Sequence, residues 1–186
     1  MDGLEKELRE LEELKNIVSQ IEGMTELNLD SFEFMSEFKV KTKFTNNSNN
    51  TDPEYAKIGD SGFDIRANLT EPIVLKPLER VLVPTGLRFE LSPNTELQVR
   101  PRSGMALKHG ISVLNTPGTV DEGYRGEVGV IAINLSNENY TINHGERIAQ
   151  GVIANVINQS ISELIKTNDL SDSERGSDGF GSTGKG

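Results

Sequence analysis

From residue 38 onwards, short apolar runs alternate with turns, and this pattern constrains the fold more than any other feature of the sequence. The runs are rich in Val, Ile, Leu and Phe, and Gly, Pro, Asn, Asp and Ser separate them. Short strands at this density predict an all-β sandwich or barrel, such as a jelly roll. A short helix is predicted over 103–109. The predicted strands are 38–44, 73–75, 80–83, 87–91, 97–100, 111–114, 128–135, 140–142 and 148–156.

The residues before position 38 follow a different period. Between positions 2 and 22, apolar residues recur at three- and four-residue steps with charged residues between them, which predicts an amphipathic helix. The apolar positions are Leu4, Leu8, Leu11, Leu14, Val18 and Ile21. This helix could form a short coiled-coil seam, or it could lie on its own domain or on a protein partner. Both interpretations remain open.

These patterns predict three segments. Residues 1–37 form an acidic helical extension, residues 38–166 form a β-barrel core, and residues 167–186 form a C-terminal arm. Residues 45–53 are a polar loop inside the core. The arm is rich in Ser, Asp and Gly with one aromatic residue, a composition that is typical of a flexible segment.

Charge and composition exclude several classes of partner. The formal net charge is −10, and residues 1–37 contribute −8 of it, which leaves 18 of the 29 acids and 16 of the 19 bases in a nearly neutral body. A nucleic-acid polymer needs a basic face, so such a partner is not expected. The chain has no cysteine, no apolar run of membrane-spanning length and no basic signal sequence. We therefore expect a soluble cytoplasmic protein, in the host cytosol if the source is viral.

The segment 115–134 combines turn residues with one carboxylate and one aromatic ring. It is predicted to be a β-hairpin whose turn-rich first half leads into the apolar run 128–133. Asp121 lies among small residues, and Tyr124 follows three positions later. The alternatives are an ordinary surface hairpin and a loop shaped around a ligand, since loops carry both.

Four other segments could carry chemistry. Asp64 stands at the start of a predicted strand, where it could equally belong to a turn. Arg102 and Ser103 precede a short helix, which suits an anionic oxygen, or a capped helix with a surface arginine. Gln150 interrupts an apolar strand and could serve only the sheet. His109 and His144 have no metal-ligand spacing and are expected to pack or cap.

The arm carries the fourth of these segments, residues 175–186. Arg175 could meet a phosphate, and Phe180 could stack on a planar base. Ser182, Thr183 and the glycine N–H groups could form a phosphate nest. The order of residues is not that of a Walker-type loop, and no strand precedes it, so that class of phosphate site is excluded.

Taken in order, the five segments resemble the five motifs of the trimeric dUTPase family. They read FDIRA (63–67), PRSGMALKHGI (101–111), GTVDEGYRGE (118–127), GERIAQ (145–150) and RGSDGFGSTG (175–184). The resemblance implies a β-jelly-roll (β-clip) subunit, a homotrimer and three active sites at subunit interfaces. It further implies that one subunit supplies the first, second and fourth motifs, a neighbour supplies the hairpin, and the third lends its arm.

The resemblance assigns a role to each matching position. Asp121 would be the catalytic carboxylate that orients and activates water, and Tyr124 the ring that excludes a 2′-hydroxyl group. Asp64 would lie near the metal–water shell, as an indirect ligand of Mg²⁺. The uracil-reading edge would consist of Asn115, Gly118 and Val120. The phosphate contacts would be Arg102, Ser103, Gly104 and Gln150. The closing arm would use Arg175, Phe180, Gly181, Ser182 and Thr183, with Phe180 over the uracil.

The implied reaction is the hydrolysis of dUTP to dUMP and pyrophosphate by in-line attack of water on the α-phosphate. Mg²⁺ would bind mainly to the triphosphate oxygens and keep water as most of its other ligands. The first motif has Ser61–Gly62 where the family usually has Ala–Gly, a small change. Such an enzyme would limit uracil incorporation into DNA and supply dUMP for dTTP synthesis.

Two alternatives remain open at this point. A dCTP deaminase shares the resembling fold, but it would have a catalytic Glu five residues after the glycine of the third motif. That position is Ile131, which cannot transfer a proton. The second alternative is a regulatory or structural trimer that binds a protein through its fold or its N-terminal helix.

Overall fold

The computed structural model describes residues 40–177, and the fold in this range consists of short antiparallel strands and one short helix. The strands are β1 (Lys43–Asn46), β2 (Phe63–Arg66), β3 (Ile73–Leu75), β4 (Arg80–Pro84), β5 (Leu87–Glu90), β6 (Thr95–Arg100), β7 (Ile111–Val113), β8 (Gly118–Val120), β9 (Gly129–Asn134), β10 (Tyr140–Ile142) and β11 (Arg147–Asn155), and the helix is α1 (Ser103–His109). The all-β prediction with one short helix is confirmed.

Four sheets share the strands. A four-stranded sheet has the order β2-β11-β6-β8, and a three-stranded sheet has the order β4-β9-β7. Two pairs, β1-β5 and β10-β3, complete the set. Every pairing is antiparallel. The long strand β11 lies between β2 and β6 and connects them.

Alternation of side chains explains the core. In β6, Thr95, Leu97 and Val99 are buried while the residues between them are partly exposed, as expected where one face of a sheet packs inward. The core includes Phe63 and Ile65 from β2. It also includes apolar residues from β4, β5, β7, β9 and β11, namely Val83, Leu87, Phe89, Ile111, Val113, Val130, Ala132, Ile148 and Ala149.

Helix α1 ends where a glycine provides the required backbone conformation. Gly110 has φ 66°, and its N–H group donates to Ala106 O. Lys108 and His109 occupy the last turn, where positive charge is favoured by the helix dipole. The predicted bounds of 103–109 are confirmed.

The predicted strands from residue 73 onwards are confirmed, with bounds that differ from the observed ones by at most two residues. The prediction of a strand over 38–44 is wrong at residues 40–42 and confirmed at Lys43 and Phe44. Residues 40–42 are not in a strand, and β1 begins at Lys43, where pairing with Glu90 begins. The polar loop predicted at 45–53 therefore begins later, after Asn46. The extent of a strand depends on its partner, which alternation alone does not reveal.

The prediction of a β-hairpin over 115–134 is also wrong. Its first half contains a strand, β8, that pairs with β6 rather than with β9. Strand β9 pairs instead with β7, which precedes residue 115, and with β4. The segment 114–128 therefore leaves one sheet, contributes an edge strand to another and returns. The turn-forming residues of this segment do not indicate the strand, because glycine, the first residue of β8, is also common in turns.

The predicted N-terminal extension 1–37, with its helix over 2–22, lies outside the described residues, as do positions 178–186 of the arm. Residues 156–177 contain turns but no helix or strand. Within residues 40–177, no helix has the length and apolar character needed to cross a membrane.

Asn134 is fully buried at the end of β9, and its amide joins three segments. Its Nδ2 atom donates to Leu75 O at 2.9 Å and to Glu138 O at 2.7 Å. Its Oδ1 atom accepts from the backbone and the hydroxyl of Ser136 at 2.9 and 2.8 Å. All the polar atoms of this side chain are therefore paired inside the protein.

We expect Asn134→Ala to lower the free energy of unfolding by about 3 kcal/mol, because buried polar groups lose their partners. Urea denaturation at fixed protein concentration measures this loss. The exposed Asn137 serves as the control, and Asn137→Ala should change stability little. Equal midpoints for the two variants would contradict the assignment.

Candidate active site

Asp64 lies between two arginine side chains at one edge of the four-stranded sheet. Arg102 Nε donates to Asp64 Oδ1 at 2.8 Å, and Arg147 Nη1 donates to Asp64 Oδ2 at 3.1 Å. The side chains of Arg102 and Asp64 are largely shielded, at 23% and 28% exposure, which strengthens the ion pair. One carboxylate between two guanidinium groups leaves a net positive charge. The cluster is therefore suited to an anionic ligand.

Arg147 is a residue of this cluster that the sequence interpretation did not select. It lies in the same segment as Gln150, 145–150. An arginine so close to a candidate phosphate-binding residue was the one sequence feature that could have indicated it. Its contact with Asp64 depends on the pairing of β11 with β2, which joins residues far apart in sequence. Arg102 also donates to Arg147 O at 3.3 Å, so the two arginines are fixed relative to each other.

Gln150 occupies the centre of a row of polar side chains. It is paired with Asp64 on β2 and with Arg100 on β6. Directly paired residues in antiparallel strands project from the same face, so the three side chains are neighbours. A cavity of about 360 Å³, called here the polar pocket, opens beside this row. The pocket is lined by Glu54, Ala56, Asp60, Ser61, Gly62, Asp64, Arg100, Pro101, Gln150 and Val152.

The start of α1 lies next to Arg102 and is open. Arg102 is the N-cap residue with extended backbone (φ −89°, ψ 128°), and no side chain caps the helix. Ser103 and Gly104 are both exposed. A Cβ atom added at Gly104 would meet no atom within 4 Å, so this surface has room for a ligand. The structure thus brings Arg102, Ser103 and Gly104 to one exposed surface.

The segment 114–128 contains the second group of predicted site residues, which includes Asn115, Gly118 and Val120. Strand β8 is the edge strand of its sheet, so alternate backbone N–H and C=O groups on its outer side pair with no strand of residues 40–177. A Cβ atom added at Gly118 would lie 3.2 Å from Asn115 Nδ2 and 3.3 Å from Val99 Cβ. The absence of a side chain at Gly118 allows Asn115 to lie close to the strand.

Asp121 and Tyr124 belong to the turn that follows β8. The N–H group of Tyr124 donates to Asp121 O at 3.0 Å and closes this turn. The ring of Tyr124 lies over Gly126, where any Cβ atom would collide with it. Its hydroxyl donates to Glu127 O at 3.0 Å. The ring is thus fixed in place although it is 46% exposed.

Glu127 attaches the end of this segment to the body of the protein. Its Oε1 atom accepts from Thr85 N at 3.0 Å and from Gly86 N at 2.8 Å. Val128 N donates to Leu87 O at 2.8 Å just beyond it. Sequence interpretation did not select Glu127, because an exposed glutamate after a glycine has no distinguishing pattern.

A second cavity, called here the apolar pocket, has a volume of about 520 Å³. Aliphatic side chains and proline form much of its wall, while Asp121, Tyr124 and Glu127 contribute polar groups. Its lining residues are Leu82, Pro84, Thr119, Val120, Asp121, Tyr124, Glu127, Val128, Gly129 and Ile131. A pocket of this kind is suited to a ligand with a planar or sugar-like group, whose reacting bond would lie near the Asp121 carboxylate.

The two pockets lie at opposite edges of one sheet. Asp64 belongs to β2 and Val120 to β8, and strands β11 and β6 lie between them. Three strand spacings correspond to about 14 Å. Within one chain, Asp64 and Arg102 therefore do not converge with Asp121 on the same small group. The structure brings the predicted residues together in two clusters rather than one.

The predicted residues of the arm are only partly described. Arg175 is exposed. Phe180, Gly181, Ser182 and Thr183 lie outside the described residues, so their predicted contacts with base and phosphate stay predictions.

The histidines have structural partners. The ring of His109 lies 5.1 Å from that of Tyr140, and His144 Nδ1 accepts from Leu69 N at 3.2 Å. Burial and the hydrogen bond that it donates to Glu146 raise the pKa of Tyr140 well above its usual range. Among residues 40–177, no three His, Cys, Asp or Glu side chains are grouped as metal ligands.

The all-β fold carries an arginine–carboxylate cluster beside a polar pocket, and a separate apolar pocket that contains a carboxylate. These features are suited to a ligand with an anionic part and a ring part. Comparison with known proteins agrees with this class. The dUTPase family model matches residues 48–184. The chain belongs to the dUTPase family.

Relatives match most of the chain. It is 55% identical over 151 residues to the deoxyuridine 5′-triphosphate nucleotidohydrolase of Bdellovibrio bacteriovorus, covering 81% of this chain and 99% of that one. The protein of the same name from Cytophaga hutchinsonii is 56% identical over 146 residues, covering 78% and 93%. The solved dUTPase of Staphylococcus bacteriophage 80alpha with dUpNHpp is 28% identical, with a TM-score of 0.69 and coverage of 78% and 99%.

We expect Glu127→Ala to accelerate hydrogen exchange at the amides of Thr85 and Gly86, because both lose their acceptor. Mass spectrometry of peptides spanning 82–88 measures the exchange. Glu127→Gln retains an acceptor oxygen and should restore much of the protection. Glu138→Ala removes another exposed glutamate as a control. Unchanged protection in Glu127→Ala would contradict the attachment of the segment by Glu127.

Proposed function

We propose that the protein hydrolyses dUTP to dUMP and pyrophosphate, by in-line attack of water on the α-phosphate, with Mg²⁺ bound to the triphosphate. The observation that carries this proposal is the Asp121 carboxylate at the wall of the apolar pocket. Asp121 is exposed, and its carboxylate takes part in no hydrogen bond or ion pair with residues 40–177. It is therefore available to orient a water molecule and to accept its proton.

The backbone near Asp121 supports recognition of uracil. The outer edge of β8 offers N–H and C=O groups at Gly118 to Val120, next to Asn115. Main-chain groups at fixed positions pair with the edge of a planar base, and a close backbone leaves no room for the methyl group of thymine. The Tyr124 ring, held over Gly126, would lie under the deoxyribose and exclude a 2′-hydroxyl group.

Arg102, Ser103, Gly104 and Gln150 would bind the phosphate chain. Arg102 is already oriented by Asp64, so less side-chain freedom is lost when a phosphate binds. The open start of α1 at Gly104 supplies backbone N–H groups toward the same surface. Hydrogen bonds from charged donors are stronger than neutral ones, which favours the highly charged triphosphate.

Asp64 is suited to hold Mg²⁺ indirectly, through water molecules. Both oxygens of Asp64 accept from arginines, so this carboxylate is suited to water-mediated contact rather than to direct coordination. Mg²⁺ would neutralise phosphate charge and hold the chain for attack. Ser103 and Gln150 would then contact the same phosphate chain from the protein side.

A homotrimer would unite the two pockets. Because the clusters lie at opposite edges of a sheet, Asp121 of one subunit would complete the site with Arg102 and Asp64 of a neighbour. The arm of the third subunit, with Arg175, Phe180, Gly181, Ser182 and Thr183, would close over it. Closure would exclude water other than the nucleophile. The activity would limit uracil incorporation into DNA and supply dUMP for dTTP synthesis.

The experiment that tests this function incubates the full chain with dUTP or dCTP and quantifies pyrophosphate and ammonia separately, with and without EDTA. Pyrophosphate from dUTP, lost with EDTA and restored by excess Mg²⁺, is expected. Ammonia from dCTP would indicate a deaminase, although Ile131, at the position of the deaminase glutamate, carries no proton-transferring group. Gel filtration in parallel tests the trimer.

Asp121→Asn is expected to lower kcat by about 10²–10⁴-fold, since the amide cannot accept a proton. The dissociation constant for dUMP should change little. Glu71→Gln makes the same chemical change at an exposed glutamate away from both pockets and serves as the control. Near-normal turnover by Asp121→Asn would refute the role of Asp121.

Tyr124→Ala is expected to raise kcat/KM for UTP relative to dUTP, on the order of tenfold, because a ring that excludes the 2′-hydroxyl is lost. Tyr124→Phe retains the ring and should retain most of the discrimination, although it loses the bond to Glu127 O. The ratio of kcat/KM values for the two nucleotides is the measurement. The same ratio in Tyr124→Ala and wild type would count against a sugar filter.

A further inference from the structure

The turn that carries Asp121 and Tyr124 depends on few internal contacts. One backbone bond, from Tyr124 N to Asp121 O, closes it. Arg125 Nη1 donates to Glu122 O at 2.6 Å and to Tyr124 O at 3.0 Å, which adds bonds within the turn itself. The direction of the Asp121 carboxylate is therefore set by how this turn is attached to the rest of the protein.

Glu122 provides such an attachment. Its Oε2 atom accepts from Asn94 N at 2.9 Å and from Asn158 Nδ2 at 3.1 Å. Glu122 is only partly exposed, although both its neighbours, Asp121 and Gly123, are exposed. A carboxylate that accepts two N–H donors is a stronger acceptor than a neutral group. The turn is thus attached at its second residue, next to the proposed base.

Asn94 and Asn158 are themselves part of a connected network. Asn94 adopts φ 58°, a conformation that asparagine tolerates better than most residues, and Val156 N donates to Asn94 O at 2.9 Å. Ser160 Oγ donates to Asn94 Oδ1 at 2.9 Å. The turn between β5 and β6, the end of β11 and residues 156–160 therefore meet at Glu122.

A cavity of about 290 Å³ lies beside Glu122, between the turn that carries Asp121 and the residues that follow β11. Asp121, Glu122 and Gly123 form one side, and Val156, Asn158, Gln159 and Ser160 form the other. The first residues after β11 thus line the same cavity as the proposed catalytic carboxylate. Any displacement of this segment changes the surroundings of Asp121.

We propose that Glu122 is a positioning residue for the reaction. Through Asn94 it fixes the turn that presents Asp121 and Tyr124, and through Asn158 it joins that turn to residues 156–160, which follow β11. The inference deepens the proposed dUTP hydrolysis and rests on it.

The main test compares Glu122→Ala and Glu122→Gln with wild type. Glu122→Ala should lower kcat for dUTP by about tenfold and reduce discrimination against UTP, because both presented side chains lose their alignment. Glu122→Gln keeps an acceptor oxygen and should restore most of both properties. The control Glu71→Ala should behave as wild type. Wild-type kcat and discrimination in Glu122→Ala, or equal losses in both Glu122 variants, would overturn the proposal.

A second readout does not depend on activity. Arg125 is an exposed trypsin site on the turn, and mass spectrometry identifies cleavage after it. Glu122→Ala should increase the rate of this cleavage at least severalfold, with an unchanged urea midpoint, while Glu122→Gln should not. Unchanged cleavage would overturn the attachment. If wild type fails to hydrolyse dUTP, the proposed function fails, while the cleavage rates still decide whether Glu122 holds the turn.

Asn158→Ala tests the contact with the segment after β11 separately, because it removes one of the two bonds to Glu122 and leaves that from Asn94 N. It should increase trypsin cleavage after Lys166, an exposed site beyond the junction, more than cleavage after Arg125. It should also lower kcat by a smaller factor than Glu122→Ala. Wild-type cleavage after Lys166 together with wild-type kcat would remove Asn158 from the proposal.

Discussion

The pairing of β11 with both β2 and β6 is the constraint on which the rest of the structure depends. It places Gln150 between Asp64 and Arg100, and it brings Arg147 to the carboxylate that also holds Arg102. Ile148 and Ala149 of the same strand are buried in the core. One strand thus positions the arginine–carboxylate cluster and contributes to the core.

The same sheet separates the chemistry into two parts. The arginine cluster and the apolar pocket lie at opposite edges, about three strand spacings apart. Each part has its own supports: Asp64 orients arginines on one side, while Glu127 and Glu122 attach the segment that carries Asp121 and Tyr124 on the other. In the proposed trimer, these supports would hold each part of the site in place for a neighbouring subunit to complete. Preorganised half-sites limit the entropy lost when the nucleotide binds.

Much of the fold followed from local patterns. The bounds of α1 were predicted because Gly110 ends the helix, and most strands were predicted because apolar runs alternate with turns. Strand β8 is too short, at three residues that begin with a glycine, to stand out among the turn formers before and after it, and the extent of β1 depends on its pairing with β5. Asp64, Arg102, Asp121 and Tyr124 were selected from motifs, whereas Arg147, Glu122 and Glu127 were not. Their contacts arise from pairings between distant segments, which spacing along the chain does not encode.

The sequence by itself determined the all-β class, the family and the residue types available for phosphate binding and proton transfer, because these depend on composition, short-range period and motif order. Only the tertiary structure decided that the segment 115–134 is not a hairpin, that its edge strand joins another sheet, and that the two clusters remain apart within one chain. The physical reason is that strand partnership is a long-range choice. Backbone hydrogen bonding makes many partners possible, and the packing of the whole core selects among them.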